Sequence, residues 1–376
     1  MEIRRTGTGS ILRWYVLKEL LTPFLISILF FTAVFLVGNL VKLADLLVNK
    51  GVYLGDILKL LALLVPSLLN YIVPTSALAA ILLVFGSLAQ NNEITAIKAS
   101  GINLFSVILP VLLVSFLGSL IMLFLSDQIG SDAEFASRRL VKEIIFKRPA
   151  AYLEAGKFIK DFQDYIVLTQ RVEGNRLYGI TIYQPQEQGK STRTIMAERG
   201  EIVTSKDDKT LRIKLYDGTS DEPNPDDPSM FYKLDFKTFE LPPIHLGKEE
   251  LHKIKKKVRE MRLDEILSAL GRDPNLKNNA EAHREYEAAL HKKIAFAFAL
   301  FVFSLIGLPT AIITRHGEAV ISFTLAIAIV ALYYVLFVWG WTLSLQGSLP
   351  PLFAMWLPNF FIMGFGVFLL RRVLSV

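Results

Sequence analysis

His283, Glu287 and His291 recur every four residues, so a helix would set all three on one face, a spacing with which imidazoles and a carboxylate hold a divalent metal. No further Cys, His or Asp stands where a completing ligand is needed, and the HExxH pattern is absent. Other chemistries are equally short of parts. There is no GxSxG elbow, no cluster of carboxylates inside an apolar run and no GxxxxGK[ST] phosphate loop. The nearest fragment, Glu154-Ala155-Gly156-Lys157, lacks the first glycine and the hydroxyl residue. What remains are cations at special places. Lys42 and Asp45, three apart and hence neighbours on a helix face, sit late in an apolar run, where a lysine either meets an anion or only snorkels to the interface. Lys292 and Lys293 stand at the mouth of another apolar run, at headgroup depth. Lys253, Lys255, Lys256, Lys257, Arg259 and Arg262 form a denser group, read first as a solvated face and second as an attractor of phosphorylated sugars or anionic headgroups.

The elements that would carry these cations are membrane spans. With 52% hydrophobic and 20% charged residues, the chain is too apolar for a soluble protein and too charged to be membrane throughout. The two characters separate along the sequence. A hydrocarbon core of ~30 Å takes about 20 helical residues, and runs of that length occur at Leu21 to Leu47, Ile57 to Leu88, Leu104 to Leu125, Ile294 to Ile313, Val320 to Leu345 and Leu352 to Leu370. A hydrophilic insert, about Ser126 to Lys293, divides them three and three. Pro66, Pro74, Pro309 and Pro358 fall inside spans, remove backbone donors there and predict kinks, which serve either a moving gate or static packing.

Six spans put both termini on one side. Arg4, Arg5, Arg13 and Lys18, then Lys98, Arg315, Arg371 and Arg372 mark that side, whereas the loop near Gly347 carries no Lys or Arg. By the positive-inside rule the termini are cytoplasmic and the insert lies across the membrane, in the periplasm of a two-membrane cell. The first apolar run is too long for a signal-peptide core and has no small-residue cleavage site after it, so it is expected to remain as a span. The chain has no cysteine, which rules out disulfide staples in the insert. Its net charge of +6 is not gathered into a basic stripe with interleaved aromatics, so anionic lipid rather than nucleic acid is the expected partner of the excess.

The insert reads as β over Lys157 to Lys160, Tyr165 to Val172, Leu177 to Tyr183, Thr192 to Val203, Leu211 to Tyr216 and Met230 to Phe239. Breaks at Glu173-Gly174-Asn175, Asp217-Gly218 and Glu222 to Pro228 suit a sandwich or jelly roll. From Lys248 the character turns helical and runs into the fourth span. The link Asn91 to Gly101, reading NNEITAIKASG, is the least loop-like of the short connections. Glu93 at its start, Lys98 near its end and Ser100-Gly101 behind it suit a short helix with its dipole compensated and a glycine C-cap. Such a helix is either an ordinary interfacial one or a docking element for another protein.

The layout and several of its words resemble the LptF/LptG permease family of the lipopolysaccharide transport system. The similar pieces are Glu93-Ile94-Thr95-Ala96 with Ala99-Ser100-Gly101, Val41-Lys42-Leu43-Ala44-Asp45, Gly307-Leu308-Pro309, Leu349-Pro350-Pro351 and Trp356-Leu357-Pro358-Asn359, with Arg193-Thr194-Ile195 a fragment in the insert. The resemblance implies an α-helical membrane protein of six transmembrane helices, three plus three, with an inserted periplasmic all-β jelly-roll-like domain, in a bacterial inner membrane. It divides the chain into residues 1–127, 128–260, 261–293 and 294–376, with a cytoplasmic coupling helix at about 91–101. It implies a transport subunit that is not an enzyme and binds no cofactor. ATP and Mg would be used by a cytoplasmic ABC ATPase dimer (LptB-like). Other implied partners are a paralogous permease (LptG-like, or LptF-like), periplasmic bridge components (LptC-like and LptA-like) and lipopolysaccharide itself. Glu93, Ile94, Ala96, Ile97, Ser100 and Gly101 would form the ATPase-coupling set, with Ile94 and Ile97 as apolar anchors. Lys42, Asp45, Lys292 and Lys293 would meet the substrate, Lys42 at lipid A phosphates. Glu93-Ile94-Thr95 and Val48-Asn49-Lys50-Gly51 lean toward the F-type.

Two other classes fit the residues less well. A membrane-embedded enzyme acting on a lipid or cell-wall precursor would need the catalytic groups found missing above, and an ATPase-coupled scaffold or sensor usually has fewer spans with its domain after the first.

Overall fold

In the computed structural model the described residues are 8–48, 52–147, 156–162, 165–184, 192–205, 210–223, 230–242, 244–245, 255–272, 276 and 279–375. They form two units, one of residues 1–41, 61–135 and 256–376 and the other of residues 42–60 and 136–255.

The first unit is helical. Its apolar runs, free of acids and bases for 18 residues or more, have no way to satisfy their backbone in hydrocarbon except as helices, and among the described residues six helices are long and apolar enough to cross a membrane. These are α1 (Thr8–Val48), α2 (Leu54–Gln90), α4 (Phe105–Leu125) with its continuation, α7 (Ala280–Thr314), α8 (Ala319–Leu345) and α9 (Pro351–Ser375); the short α3 (Glu93–Ala99) joins α2 to α4, and α6 (Leu263–Arg272) precedes α7. The prolines at 66, 74, 309 and 358 lie inside α2, α7 and α9. The inner helices α2 and α7 are mostly buried, whereas α1 and α8 are mostly bare within the single chain. Leu25, Leu29, Val34 and Val335, Val338 and Trp339 are among their exposed side chains, the pattern of helices that face hydrocarbon or a partner.

One core joins the spans, with Phe85, Ile108, Leu308 and Tyr333 almost wholly covered. Phe296 sits at its aromatic centre, 4.7 Å from the Phe337 ring and 5.8 Å from that of Tyr333.

The third span does not end where its apolar run ends. Past Leu125 the backbone forms one π-helical turn, Ser126–Gly130, and resumes as α5 (Ser131–Lys147). The insert therefore begins with helix, ahead of the first strand read from the sequence at Lys157 to Lys160. Ser131-Asp132-Ala133-Glu134 explains the restart, because acids in a first turn favour a new helix.

The second unit holds seven antiparallel strands, β1 (Phe158–Phe162), β2 (Tyr165–Glu173), β3 (Arg176–Gln184), β4 (Arg193–Ser205), β5 (Thr210–Pro223), β6 (Phe231–Glu240) and β7 (Ile244–His245). All six strands read from the sequence are present. Their order is β1-β2-β3-β4-β5-β6, with β7 returning to β5. Among the described strands this is a meander of neighbours, without the crossings that a jelly roll implies. Period-two alternation buries Val167, Leu177, Ile182, Ile195, Ile213 and Leu215 on one face. Asp217-Gly218, read as a break, lies inside β5. Asp217 takes a positive φ of 53° and Gly218 passes against the Met196 carbonyl, so the pair bends the strand rather than ending it.

Candidate functional site

A cavity of about 410 Å³ opens in the helical unit where α4 gives way to the π turn. Ser67, Asn70 and Tyr71 of α2 line it from one side, and Lys292, Phe296 and Trp341 from another. The π turn widens the helix by one residue per turn, and the Asn70 amide donates to the Ser126 hydroxyl at its first position.

The two lysines predicted as substrate contacts both reach this cavity, and the geometry gives them different work. Lys293 has three hydrogens to donate. They go to the Asp127 carboxylate at 3.4 Å, the Ser131 hydroxyl and the Met261 carbonyl. Asp127 in turn accepts the Leu263 backbone N–H at 2.7 Å. Lys293 is thus an anchor that holds the segment returning from the insert against α4 and α7. Lys292 carries no such set. Its ammonium stands 5.5 Å from the ring centres of Phe337 and Trp341 and 5.8 Å from that of Phe296, an aromatic cage in which a cation is held by ring faces rather than by an acid.

Of the basic group read first as a solvated face, Lys253 lies outside the described residues, and Lys256, Arg259 and Arg262 are tied down. Lys256 pairs with Asp132 at 3.3 Å and with Glu265 at 2.8 Å, Arg262 pairs with Asp132, and Arg259 pairs with Glu134 at 2.9 Å. Burial works against charge on Lys256, but its hydrogen bonds to Glu265 and Asp132 more than offset that and hold it above the ordinary lysine value. The hydrogen bond that Arg262 donates to the Asp132 carboxylate likewise raises Arg262. Lys257 and Arg259 line the cavity beside Glu134. Asp127, Asp132 and Glu134 were not singled out in the sequence. The signal for them was there: acids just past the third apolar run answer lysines just before the fourth.

The side chains of Lys42 and Asp45 lie outside the described residues, as do Asn49, Lys50 and Gly51; α1 includes positions 42 and 45. His283 and Glu287 approach to 3.7 Å, and among the described residues no group of three His, Cys, Asp or Glu is placed to hold a metal.

At the far end of α2, Asn92 takes φ 59° and α3 begins at Glu93. Its end is a full Schellman motif: Gly101 at φ 73° donates to the Lys98 carbonyl at 2.9 Å, and Ile102 donates to that of Ile97 at 3.3 Å. The Ser100 hydroxyl adds a bond to the Ala96 carbonyl at 2.9 Å. Ile94 is 4% exposed and belongs to the chain's own core, and Ile97 packs against that core. The outward face of α3 is Thr95, Ala96, Ala99 and Ser100. From Tyr71 at the cavity to Gln90 at the end of α2 is 19 residues, about 28 Å at the helical rise of 1.5 Å per residue, so α2 separates cavity and link helix by roughly one hydrocarbon core.

Fold and site together define a multi-pass membrane protein with an inserted antiparallel β domain and a cation-bearing cavity in its helical unit. The family described as lipopolysaccharide export system permease LptF/LptG matches residues 14–372, and the chain belongs to that family. An uncharacterized protein of Rickettsia prowazekii (strain Madrid E) is 25% identical over 173 residues, 46% of this chain and 48% of that protein. The chain thus spans about half the length of the curated relative it matches.

Proposed function

We propose that this chain is the transmembrane permease subunit of an ABC-type exporter that extracts lipopolysaccharide from the outer leaflet of the inner membrane and passes it to a periplasmic bridge. The observation that carries the reading is Lys292, a cation held by three rings on the wall of a roomy polar cavity. An ammonium caged by ring faces keeps its charge available to an anionic group that enters. Lys257 and Arg259 on the same wall add to the field a phosphorylated lipid headgroup would meet. A second, almost wholly apolar cavity of about 360 Å³, walled by Leu20, Phe24, Ala77, Ile81, Val111 and Met122, suits acyl chains. In this reading Lys42, with Asp45 three residues on in sequence, meets lipid A phosphates as the family resemblance implies, and Lys293 contributes by fixing the wall on which Lys292 sits.

The chain holds no ATP-binding loop, so the energy comes from a separate cytoplasmic ATPase dimer seated against α3. Because Ile94 is turned inward, the ATPase meets Thr95, Ala96, Ala99 and Ser100, with Glu93 at the helix start as the charged contact. A paralogous permease completes the pair, and the exposed faces of α1 and α8 are the surfaces on which it and the lipid are met.

The reading is tested by capturing the tagged chain from its native membrane in mild detergent and identifying the proteins and lipid that come with it. A soluble ABC ATPase, a second six-span permease and lipopolysaccharide are expected together. The chain alone with ordinary phospholipid would overturn it and return weight to a membrane-embedded enzyme.

A further inference from the structure

The link helix α3 is joined covalently only to α2 and α4, yet its one basic side chain reaches the far end of the sequence. The Lys98 ammonium donates to the backbone carbonyl of Val373 at 2.8 Å, across 275 residues. Val373 lies in the last turn of α9, where helix carbonyls have no partner of their own and carry the negative end of the dipole. Apolar packing reinforces the bond: Ile94, Leu370 and Val373 share one core, and Ile97 packs on it.

From there α9 is coupled tightly to α7. Gly366 brings the two backbones so close that a Cβ would stand 3.2 Å from Ile306. Buried Asn359 donates to the Ala295 carbonyl at 2.9 Å, one helical turn from Lys292 on the cavity wall. The chain's two halves are therefore bridged at α3 by a single charge-assisted bond whose far end leads by rigid packing to Lys292.

We propose that Lys98 is a positioning residue that makes α9, and through it the Lys292 wall of α7, follow any displacement of α3. This deepens the preceding reading and rests on it, since α3 must be the element the ATPase moves. The alternative is a plain C-cap that adds stability to α9 and carries no motion.

The experiment uses the captured complex in vesicles and reads lipid released per ATP hydrolysed, together with ATPase recovered per chain. Lys98→Met removes the donor; a chain ended after Arg372 removes the acceptor together with the Val373 side chain that packs in the same core; a third variant combines them. ATPase recovery is expected to stay at the wild-type level throughout, while lipid released per ATP falls roughly fivefold to tenfold, as loss of one charge-assisted hydrogen bond implies. Lys98→Arg should restore most of it. The combined variant should be no worse than the truncation alone, because the hydrogen bond is already gone there. An unchanged ratio in a complex that recruits its ATPase, or losses that add, would overturn the latch alone. A ratio that falls only because ATPase is lost would make Lys98 a contact residue and also overturn it. A wild-type chain that recruits no ATPase overturns the reading of α3 first, and the latch with it.

Discussion

Asp127 and Lys293 stand 166 residues apart in the sequence and 3.4 Å apart in the structure, each with only 11% of its side chain exposed. One belongs to the π turn that ends the third span and the other to the start of the fourth, so the pair closes the seam across which the insert leaves and returns.

A buried pair of this kind costs more to break than to have. Lys293→Met leaves the Asp127 carboxylate with the Leu263 N–H as its remaining strong donor and is expected to cost about 3 kcal/mol. The midpoint of thermal unfolding in detergent reads this as a clear drop. Replacing both members, as Asp127→Asn with Lys293→Met, should recover part of the loss. A single variant as stable as wild type would show that the seam is held by packing.

Lys292 should behave in the opposite way. Methionine keeps the stem and its contact with the rings of Phe296, Phe337 and Trp341, so Lys292→Met is expected to leave the unfolding midpoint nearly unmoved. Lipopolysaccharide retained per purified chain should fall about tenfold, the worth of one charge-assisted contact of about 1.5 kcal/mol. Equal retention by the two proteins would remove Lys292 from the substrate site.

The link helix separates fold from docking at adjacent positions. Ile94→Ala empties a core site and is expected to cost about 2 to 4 kcal/mol, seen as reduced thermal stability. Ala96→Arg places a long cation on the outward face; it should spare stability and abolish ATPase capture. Retention of the ATPase by Ala96→Arg would place the contact elsewhere.

The elements were largely legible because their signals are local. Apolar length alone marks the six spans, and Leu211, Ile213 and Leu215 against Arg212 and Lys214 mark β5. Gly101 likewise announced the C-cap that the structure shows. What stayed hidden depends on pairing over distance. Ile94 looked like an anchor for another protein because no sequence rule says which face of a seven-residue helix meets its own core. Lys292 and Lys293 looked alike because the acid that claims Lys293, Asp127, lies 166 residues away at the other end of the insert. Asp217-Gly218 looked like a turn because a positive-φ residue followed by glycine inside a long strand has the same residues as a turn between strands.

Two glycines of α9, two residues apart, give a test in which the sign differs. Gly366 is buried, and a Cβ there would lie 3.2 Å from the Ile306 Cα and N, so the α7 backbone must give way for any side chain. Gly364 is exposed, with nothing within 4 Å of a Cβ. Alanine favours a helix interior over glycine by about 1 kcal/mol, so Gly364→Ala should raise the unfolding midpoint. At Gly366 the same gain is offset by the lost close approach on which the helix pair depends in a membrane, where small residues rather than hydrophobic drive hold helices together. Gly366→Ala is expected to lower the midpoint, and Gly366→Leu to prevent recovery of a folded chain. If the two alanine variants moved the midpoint in the same direction, α7 and α9 would be free to separate, and Asn359 with Ala295 would have to hold them alone.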